Sequence, residues 1–295
     1  MSVSNATLGS MTVDATHTIG VVGSGIMAAG IAEVAARGGI RAIVRARSES
    51  SAAAALKQIT GGLARQVDKG KLEASERDRI LANISTTVEL TGLADCDIII
   101  ESVVEDLATK QQLFGELDAI VKPSAILATN TSTLSVVEMA KVTNRPDKVC
   151  GIHFFNPAAV LPLVEIVRPI TASDETIARA AAFVTSIGKE GVHVLDRAGF
   201  IVNALLFPYL NNAIRMLEDG TASMQDIDTA MKGGCNFPMG PFALLDLVGL
   251  DTSLSILETL HTSFGDENFV ARPMLRDLVA QGRLGRKTKA GFYVH

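Results

Sequence analysis

Short apolar runs and helical patterns alternate along the first two thirds of the chain. Residues 17–22 form a β-branched apolar run that ends in glycines, a helical pattern follows as far as Gly38-Gly39, and residues 40–44 form a second apolar run. A strand, a helix and a strand in about thirty residues predict the first β-α-β unit of a parallel sheet. Further strand-like runs lie at 98–100, 125–128, 149–152, 163–167 and 192–195, and helical patterns lie at 51–69, 75–81 and 110–121.

After about residue 197, helical periodicity replaces the strand-like runs. Ser223 and Asp226 have the spacing of a capping box at the start of one helix, and the next strand-like residues are the pair Phe292-Tyr293. The predicted fold class is therefore α/β, with an N-terminal doubly wound sheet in residues 17–197 and an all-helical C-terminal domain in residues 198–295. The predicted helices of that second domain lie at 200–218, 223–232, 241–260 and 272–281.

The composition of the chain excludes several classes of partner and of location. The net charge is −5 and no basic run occurs, so nucleic acid is not an expected partner. The sequence has no uninterrupted apolar stretch of about 20 residues, so no transmembrane helix is predicted. Residues 1–16 lack the features of a signal peptide, and we expect them to form a disordered tail. The three cysteines lack C-x-x-C spacing, which favours reduced, half-buried thiols in a cytoplasmic protein. No metal site is predicted.

A glycine-rich turn joins the first predicted strand to the first predicted helix. The segment Gly23-Ser24-Gly25-Ile26-Met27-Ala28 fits G-x-G-x-x-G/A. The first glycine allows the tight turn, the second lets the backbone approach a pyrophosphate, and the small last residue lets the helix pack closely on the sheet. Helix N–H groups then attract the phosphates. This context predicts a Rossmann-type domain in which Gly23, Gly25, Ile26 and Met27 bind a dinucleotide; an ordinary glycine turn is the alternative.

The end of the second predicted strand lacks the acidic residue with which NAD-binding proteins hold the ribose hydroxyls. The expected position falls on Ala46, between Arg45 and Arg47 and just before Ser48. An arginine and hydroxyl groups suit a 2′-phosphate, so Arg45 and Arg47 predict a preference for NADP(H) over NAD(H). The alternative is two solvated arginines beside a site that accepts NAD(H).

Several motifs together resemble the 3-hydroxyacyl-CoA dehydrogenase family, and in particular its monofunctional 3-hydroxybutyryl-CoA dehydrogenase branch. The resemblance runs from about residue 17 to the C-terminus and depends on the joint spacing of the motifs, since none is specific alone. The motifs are GSGIMAAGIA at 23–32, ESVVEDLATK at 101–110, NTST at 130–133, GIHFFNP at 151–157, PLVEIV at 162–167, GFIVN at 199–203, DIDTAM at 226–231 and PMGPF at 238–242.

The resemblance implies interconversion of (S)-3-hydroxyacyl-CoA and 3-oxoacyl-CoA by hydride transfer. It makes His153 the catalytic acid or base, paired with Glu165, and places Ser132 and Asn203 against the reacting part of the substrate. Imidazole has an ordinary pKa near 6.5, which suits proton transfer with a hydroxyl group. A carboxylate can hold the histidine tautomer, and hydroxyl and amide donors can stabilise the developing oxygen.

The same resemblance implies further binding residues. It places Asn130, Glu105 and Lys110 beside the cofactor, the last two on its nicotinamide-ribose side, although their spacing also fits a solvated helix pair. Lys69 and Lys71 are candidates for the CoA phosphates, although the serine and lysine that some relatives use for CoA have no match here. For these lysines a solvated surface is the alternative.

The family also implies a homodimer formed through the helical C-terminal domain. Two other kinds of protein share the predicted plan. A free-acid dehydrogenase of the phosphogluconate type usually has a lysine base, which GIHFFNP with its histidine disfavours. A protein recruited to a structural role, or to sequester a cofactor, has no need of all four of His153, Glu165, Ser132 and Asn203, so an enzyme is the favoured interpretation.

Overall fold

A computed structural model describes residues 15–295, and the chain divides into two compact units. The first unit ends at Asp196 and the second spans Arg197–His295. The tail predicted at residues 1–16 lies outside the described residues except for its last two. None of the helices in residues 15–295 has the length and apolarity needed to cross a membrane.

In the described part of the first unit, eight strands form one sheet in the order β3-β2-β1-β4-β5-β6-β7-β8. Neighbouring strands are parallel except β6 and β7, which are antiparallel. This arrangement confirms the doubly wound sheet, but β7 and β8 run antiparallel to the other six strands, which the pattern alone did not predict. The strands are β1 (Thr18–Val22), β2 (Arg41–Arg45), β3 (Ile84–Thr87), β4 (Ile98–Glu101), β5 (Ile126–Thr129), β6 (Val149–Phe154), β7 (Leu163–Arg168) and β8 (Glu190–Leu195).

Helices of the first unit connect these strands. Apolar residues of the central strands and of the first helix, such as Ile19, Ile31 and Ile100, are fully buried in one core. A short helix after β5 was not predicted, and the helix predicted at 110–121 begins three residues earlier because Asp106 caps it. The helices are α1 (Ile26–Arg37), α2 (Glu49–Asp68), α3 (Ala74–Ala82), α4 (Leu107–Ile120), α5 (Val136–Ala140) and α6 (Asp174–Ser186).

The second unit is helical and has its own core, in which Phe242 and Leu260 are fully buried. The single helix predicted at 241–260 is wrong: Gly249 has a φ of 102° and separates two helices. The predicted terminal strand at Phe292-Tyr293 is also wrong, since the described segment contains isolated bridges only. The helices are α7 (Val202–Glu218), α8 (Met224–Cys235), α9 (Pro241–Val248), α10 (Leu250–Phe264) and α11 (Pro273–Ala280).

The three cysteines are free, as predicted, but they are not half-buried. Cys96 and Cys150 are fully buried and Cys235 is exposed. Burial raises the pKa of the Cys150 thiol to about 12, so that thiol is neutral and unreactive at neutral pH.

Candidate active site

The turn between β1 and α1 is shaped by two glycines with different roles. Gly23 has a φ of 133°, and a Cβ atom there would lie 2.4 Å from the carbonyl oxygen of Ser102. Any side chain would therefore push the turn away from the end of β4. Gly25 precedes α1, and among the described residues nothing lies within 4 Å of the place where its Cβ would be.

The start of α1 faces open space that suits a phosphate group. Ile26 and Met27 are the first two residues of α1. The backbone N–H groups at the start of a helix have no acceptor within that helix, so they can donate to a ligand. The Ile26 side chain is 64% exposed. On the inner side, Gly30 packs against Ala158, to which an added Cβ would approach within 3.1 Å. The chain here fits the pyrophosphate of a dinucleotide cofactor.

The two arginines at the end of β2 differ in their surroundings. Arg45 is half-buried, and its Nε donates a hydrogen bond to the carbonyl oxygen of Val88 at 3.2 Å. Arg47 is exposed and stands just before Ser48, whose hydroxyl caps α2. The exposed Glu49 in the first turn of α2 is the nearest acidic residue in the sequence. Of the two arginines, Arg47 is therefore the better placed to meet a ligand.

His153 and Glu165 lie directly opposite each other on the antiparallel strands β6 and β7. The distance between His153 Nδ1 and Glu165 Oε2 is 2.7 Å, and both residues are buried. Because a carboxylate only accepts hydrogen bonds, Nδ1 is the donor and the other ring nitrogen, Nε2, is the basic one. Glu165 lies inside the sheet, on β7, which pairs with β6 on one side and with β8 on the other.

Asn130 and Ser132 follow β5 in the turn next to this pair. The Asn130 side chain connects two strand ends: its amide nitrogen lies 3.4 Å from Ser102 Oγ, and its oxygen accepts a 2.8 Å hydrogen bond from the backbone N–H of Phe154. Ser132 is half-buried, and its backbone N–H donates to Glu105 Oε1 at 2.9 Å.

Glu105 and Lys110 do not form the solvated helix pair that was the alternative interpretation. Glu105 precedes α4, and the Lys110 side chain is only 1% exposed. Lys110 Nζ lies 2.6 Å from Glu101 Oε1 and 3.3 Å from Glu105 Oε2. Glu101 is a functional candidate that the sequence analysis missed; the signal was a carboxylate at the end of the buried run Ile98–Glu101.

The remaining predicted residues lie elsewhere. Asn203 belongs to the second unit, where it is buried in the first turn of α7. Lys69 and Lys71 are exposed at the end of α2. The roles of these three residues in substrate binding therefore stay predictions from the family resemblance.

Within the first unit, the glycine turn, the Ser132 turn and the His153–Glu165 pair all lie toward the carboxyl ends of the parallel strands. In open α/β sheets, ligands bind at this edge. A dinucleotide-binding turn with a buried histidine–carboxylate pair at the same sheet edge is typical of one class of protein, the nicotinamide-dependent dehydrogenases.

Comparison with known proteins narrows this class. The family model "3-hydroxyacyl-CoA dehydrogenase, NAD binding domain" matches residues 18–197, and "3-hydroxyacyl-CoA dehydrogenase, C-terminal domain" matches residues 199–295. The 3-hydroxybutyryl-CoA dehydrogenase of Mycobacterium tuberculosis is 44% identical over 96% of this chain and 99% of its own. That of Clostridioides difficile is 42% identical over 93% and 98%.

Among solved structures, (S)-3-hydroxybutyryl-CoA dehydrogenase from Ralstonia eutropha superposes with a TM-score of 0.92 at 38% identity, covering 95% of this chain and 99% of that one. The chain belongs to the 3-hydroxyacyl-CoA dehydrogenase family. It is an oxidoreductase with an NAD-binding domain, as the sequence predicted.

Proposed function

We propose that the chain interconverts (S)-3-hydroxybutyryl-CoA and acetoacetyl-CoA, with His153 as the acid–base group. The observation that carries this proposal is the 2.7 Å contact between His153 Nδ1 and the buried Glu165 carboxylate. The short acyl chain is inferred from relatives that are named for 3-hydroxybutyryl-CoA and that match over nearly their whole length.

In the direction of oxidation, His153 Nε2 takes the proton of the 3-hydroxyl group while hydride leaves the same carbon. Glu165 holds the ring in the required tautomer and stabilises the imidazolium that forms. Ser132 donates a hydrogen bond to the developing carbonyl oxygen, and Asn203 contributes a second donor, a role that rests on the family resemblance. The nicotinamide cofactor, when bound, supplies the hydride acceptor or donor.

The cofactor is held by residues 17–197, which form the dinucleotide-binding domain. Gly23, Gly25, Ile26 and Met27 would receive the pyrophosphate, while Asn130, Glu105 and Lys110 act on the nicotinamide-ribose side, Lys110 through Glu105. We infer a preference for NADP(H), supported by the exposed Arg47 and by the buried Ala46 in the place of an acid. Glu49 opposes this preference by repelling a 2′-phosphate.

The proposal also covers the binding of the CoA portion of the substrate and the assembly of the protein. Lys69 and Lys71 are candidates for the CoA phosphates. Residues 198–295 are assigned to substrate contact and to a homodimer, for which the exposed apolar side chains of the second unit give support. A cytoplasmic location agrees with three free cysteines.

Initial rates with acetoacetyl-CoA and either NADPH or NADH test the proposal. We expect reduction of the 3-oxo group with both cofactors and a higher kcat/KM with NADPH. Absence of turnover with both cofactors would reject the activity, whereas equal values or a preference for NADH would reject only the assignment of NADP(H).

A further inference from the structure

A buried ion pair, Glu101 with Lys110, lies next to Glu105 and so to the Ser132 turn. The side chains of Glu101 and Lys110 are 0% and 1% exposed, and Lys110 Nζ lies 2.6 Å from Glu101 Oε1. Removing two charges from water costs more than most buried ion pairs return, and apolar residues of similar volume often give equal or greater stability. A role in fixing the position of neighbouring site residues would explain why such a pair is present.

The carboxylate of Glu101 connects three elements. It accepts hydrogen bonds from Lys110 Nζ on α4, from Thr129 Oγ1 on β5 at 2.7 Å, and from the backbone N–H of Val103 at 2.6 Å. Thr129 is also the register partner of Glu101 in the sheet. These charge-assisted bonds fix both the position of the Lys110 ammonium and the start of the Ser132 turn.

Glu105 connects the Lys110 ammonium group to the turn that contains Ser132. Its Oε2 lies 3.3 Å from Lys110 Nζ, while its Oε1 accepts from Thr131 Oγ1 at 2.5 Å and from the backbone N–H of Ser132 at 2.9 Å. Burial alone would raise the pKa of this carboxyl, but the Lys110 charge and these hydrogen bonds lower it below its ordinary value, so Glu105 is ionised at neutral pH.

We propose that Glu101, Lys110 and Glu105 form a positioning triad that sets the Ser132 hydroxyl for catalysis, with Glu101 as its buried anchor. The inference rests on the proposed role of Ser132 in binding the substrate oxygen. None of the three residues needs to touch substrate. Glu101 acts through Lys110, Lys110 through Glu105, and Glu105 through the turn at residues 131–133.

A double-mutant cycle of Glu101→Gln and Ser132→Ala tests this coupling, because effects of residues that act as a unit are not additive. We expect Glu101→Gln to lower kcat about tenfold in the intact protein, a modest loss beside the ~10²–10³-fold cost of removing a donor from an oxyanion site. In the Ser132→Ala background the same change should lower kcat less than twofold. Equal losses in the two backgrounds would overturn the proposal.

A second readout does not depend on activity. Glu101→Gln should speed hydrogen–deuterium exchange at the 131–133 amides at least tenfold, because Glu105 would be held less firmly. Glu116→Gln, the same change at an exposed position of α4, is the matched control and should leave both kcat and exchange unchanged. Unchanged exchange in Glu101→Gln would count against the triad.

If Glu101→Gln fails to fold, Glu105→Gln takes its place in the same cycle, since the Glu105 side chain is 37% exposed and should tolerate the change. Additive losses for Glu105→Gln would overturn the proposal equally. The single variant Ser132→Ala distinguishes failure of the proposed role of Ser132 from failure of the triad. Wild-type turnover in that variant would reject the proposed role of Ser132 and the catalytic purpose of the triad, whereas a slow Ser132→Ala with additive cycles rejects the triad alone.

Discussion

At the scale of single residues, the proposed chemistry depends on the pairing of His153 with Glu165. Replacing His153 by Gln keeps the size and polarity of the side chain but removes its basic nitrogen. We expect kcat to fall by ~10²–10⁴-fold, the usual worth of general acid–base help. Cofactor affinity and thermal unfolding should stay close to those of the intact protein. A folded variant with near-normal turnover would show that another group transfers the proton.

A second residue-scale prediction concerns Arg47. This side chain is exposed beside the capped start of α2, and a charge-assisted hydrogen bond to a 2′-phosphate contributes about 1.5–3 kcal/mol. We therefore expect Arg47→Ala to lower kcat/KM for NADPH about tenfold or more, and to change that for NADH less than twofold.

Arg41→Ala, at an exposed arginine that begins β2, is a suitable control. It should leave the ratio of the two cofactors unchanged. If Arg47→Ala behaves like Arg41→Ala, the arginine is a solvated surface residue and cofactor choice lies elsewhere.

Contacts between residues close in the sequence could be predicted from it, whereas contacts between distant residues could not. The glycine turn is local, and Gly23 occupies the positive-φ position that the motif requires. His153 and Glu165 were paired by resemblance, but their direct opposition requires the antiparallel register of β6 and β7. The Glu101–Lys110 contact was missed because nine positions of chain, including a turn and a helix start, separate its two charges.

At the scale of secondary-structure elements, the C-terminal segment is held on α9 by Asp246. This buried carboxylate accepts hydrogen bonds from the backbone N–H groups of Phe292 and Tyr293, both at 2.8 Å. A Cβ atom on Gly291 would lie 2.0 Å from Asp246 Oδ1. We expect Gly291→Ala to displace the segment and to reduce the free energy of unfolding by about 2–4 kcal/mol, as overpacking and broken buried hydrogen bonds do.

Denaturant unfolding of the intact protein measures this effect, and Gly233→Ala provides the control. Gly233 lies in α8 with no atom of the described residues within 4 Å of an added Cβ. Alanine there should raise stability slightly, by up to about 1 kcal/mol, because it is the better helix former. Similar stabilities for the two alanine variants would show that the terminal segment contributes little.

The elements that the sequence predicted correctly have strong local signals, whereas the missed strand β3 does not. Strand β1 is apolar throughout and fully buried, whereas β3, with the sequence Ile-Ser-Thr-Thr, is half-buried or exposed and gains its order from pairing with β2. The break at Gly249 did have a local signal, because a glycine inside a helical pattern marks a possible end. The apolar residues on both sides concealed it.

At the scale of the whole molecule, we expect two copies of the chain to associate through the second unit. Leu205 on α7 is 71% exposed and Leu247 on α9 is 50% exposed, and burial of large apolar side chains drives such association. Sedimentation analysis should give about twice the chain mass of 31.1 kDa. Leu205→Glu should weaken self-association at least tenfold, about 1.4 kcal/mol.

Leu195→Glu places the same charge at an exposed leucine of the first unit and should leave the dimer intact. A monomeric intact protein, or equal dissociation in both glutamate variants, would contradict assembly through the helical unit. Neither the sequence pattern nor the exposed leucines alone specify which helices meet, because such a contact depends on two copies.

The central claim is that this chain is a dehydrogenase for a CoA thioester that uses His153 as its acid–base group. Family enzymes of this kind use remote binding to position the reacting carbon, so the CoA portion should raise catalytic efficiency. The most direct measurement compares kcat/KM for (S)-3-hydroxybutyryl-CoA and for free 3-hydroxybutyrate, in the intact protein and in His153→Gln. We expect at least a hundredfold preference for the thioester and loss of that activity in the variant. Equal efficiency for the free acid, or undiminished thioester oxidation by His153→Gln, would contradict it.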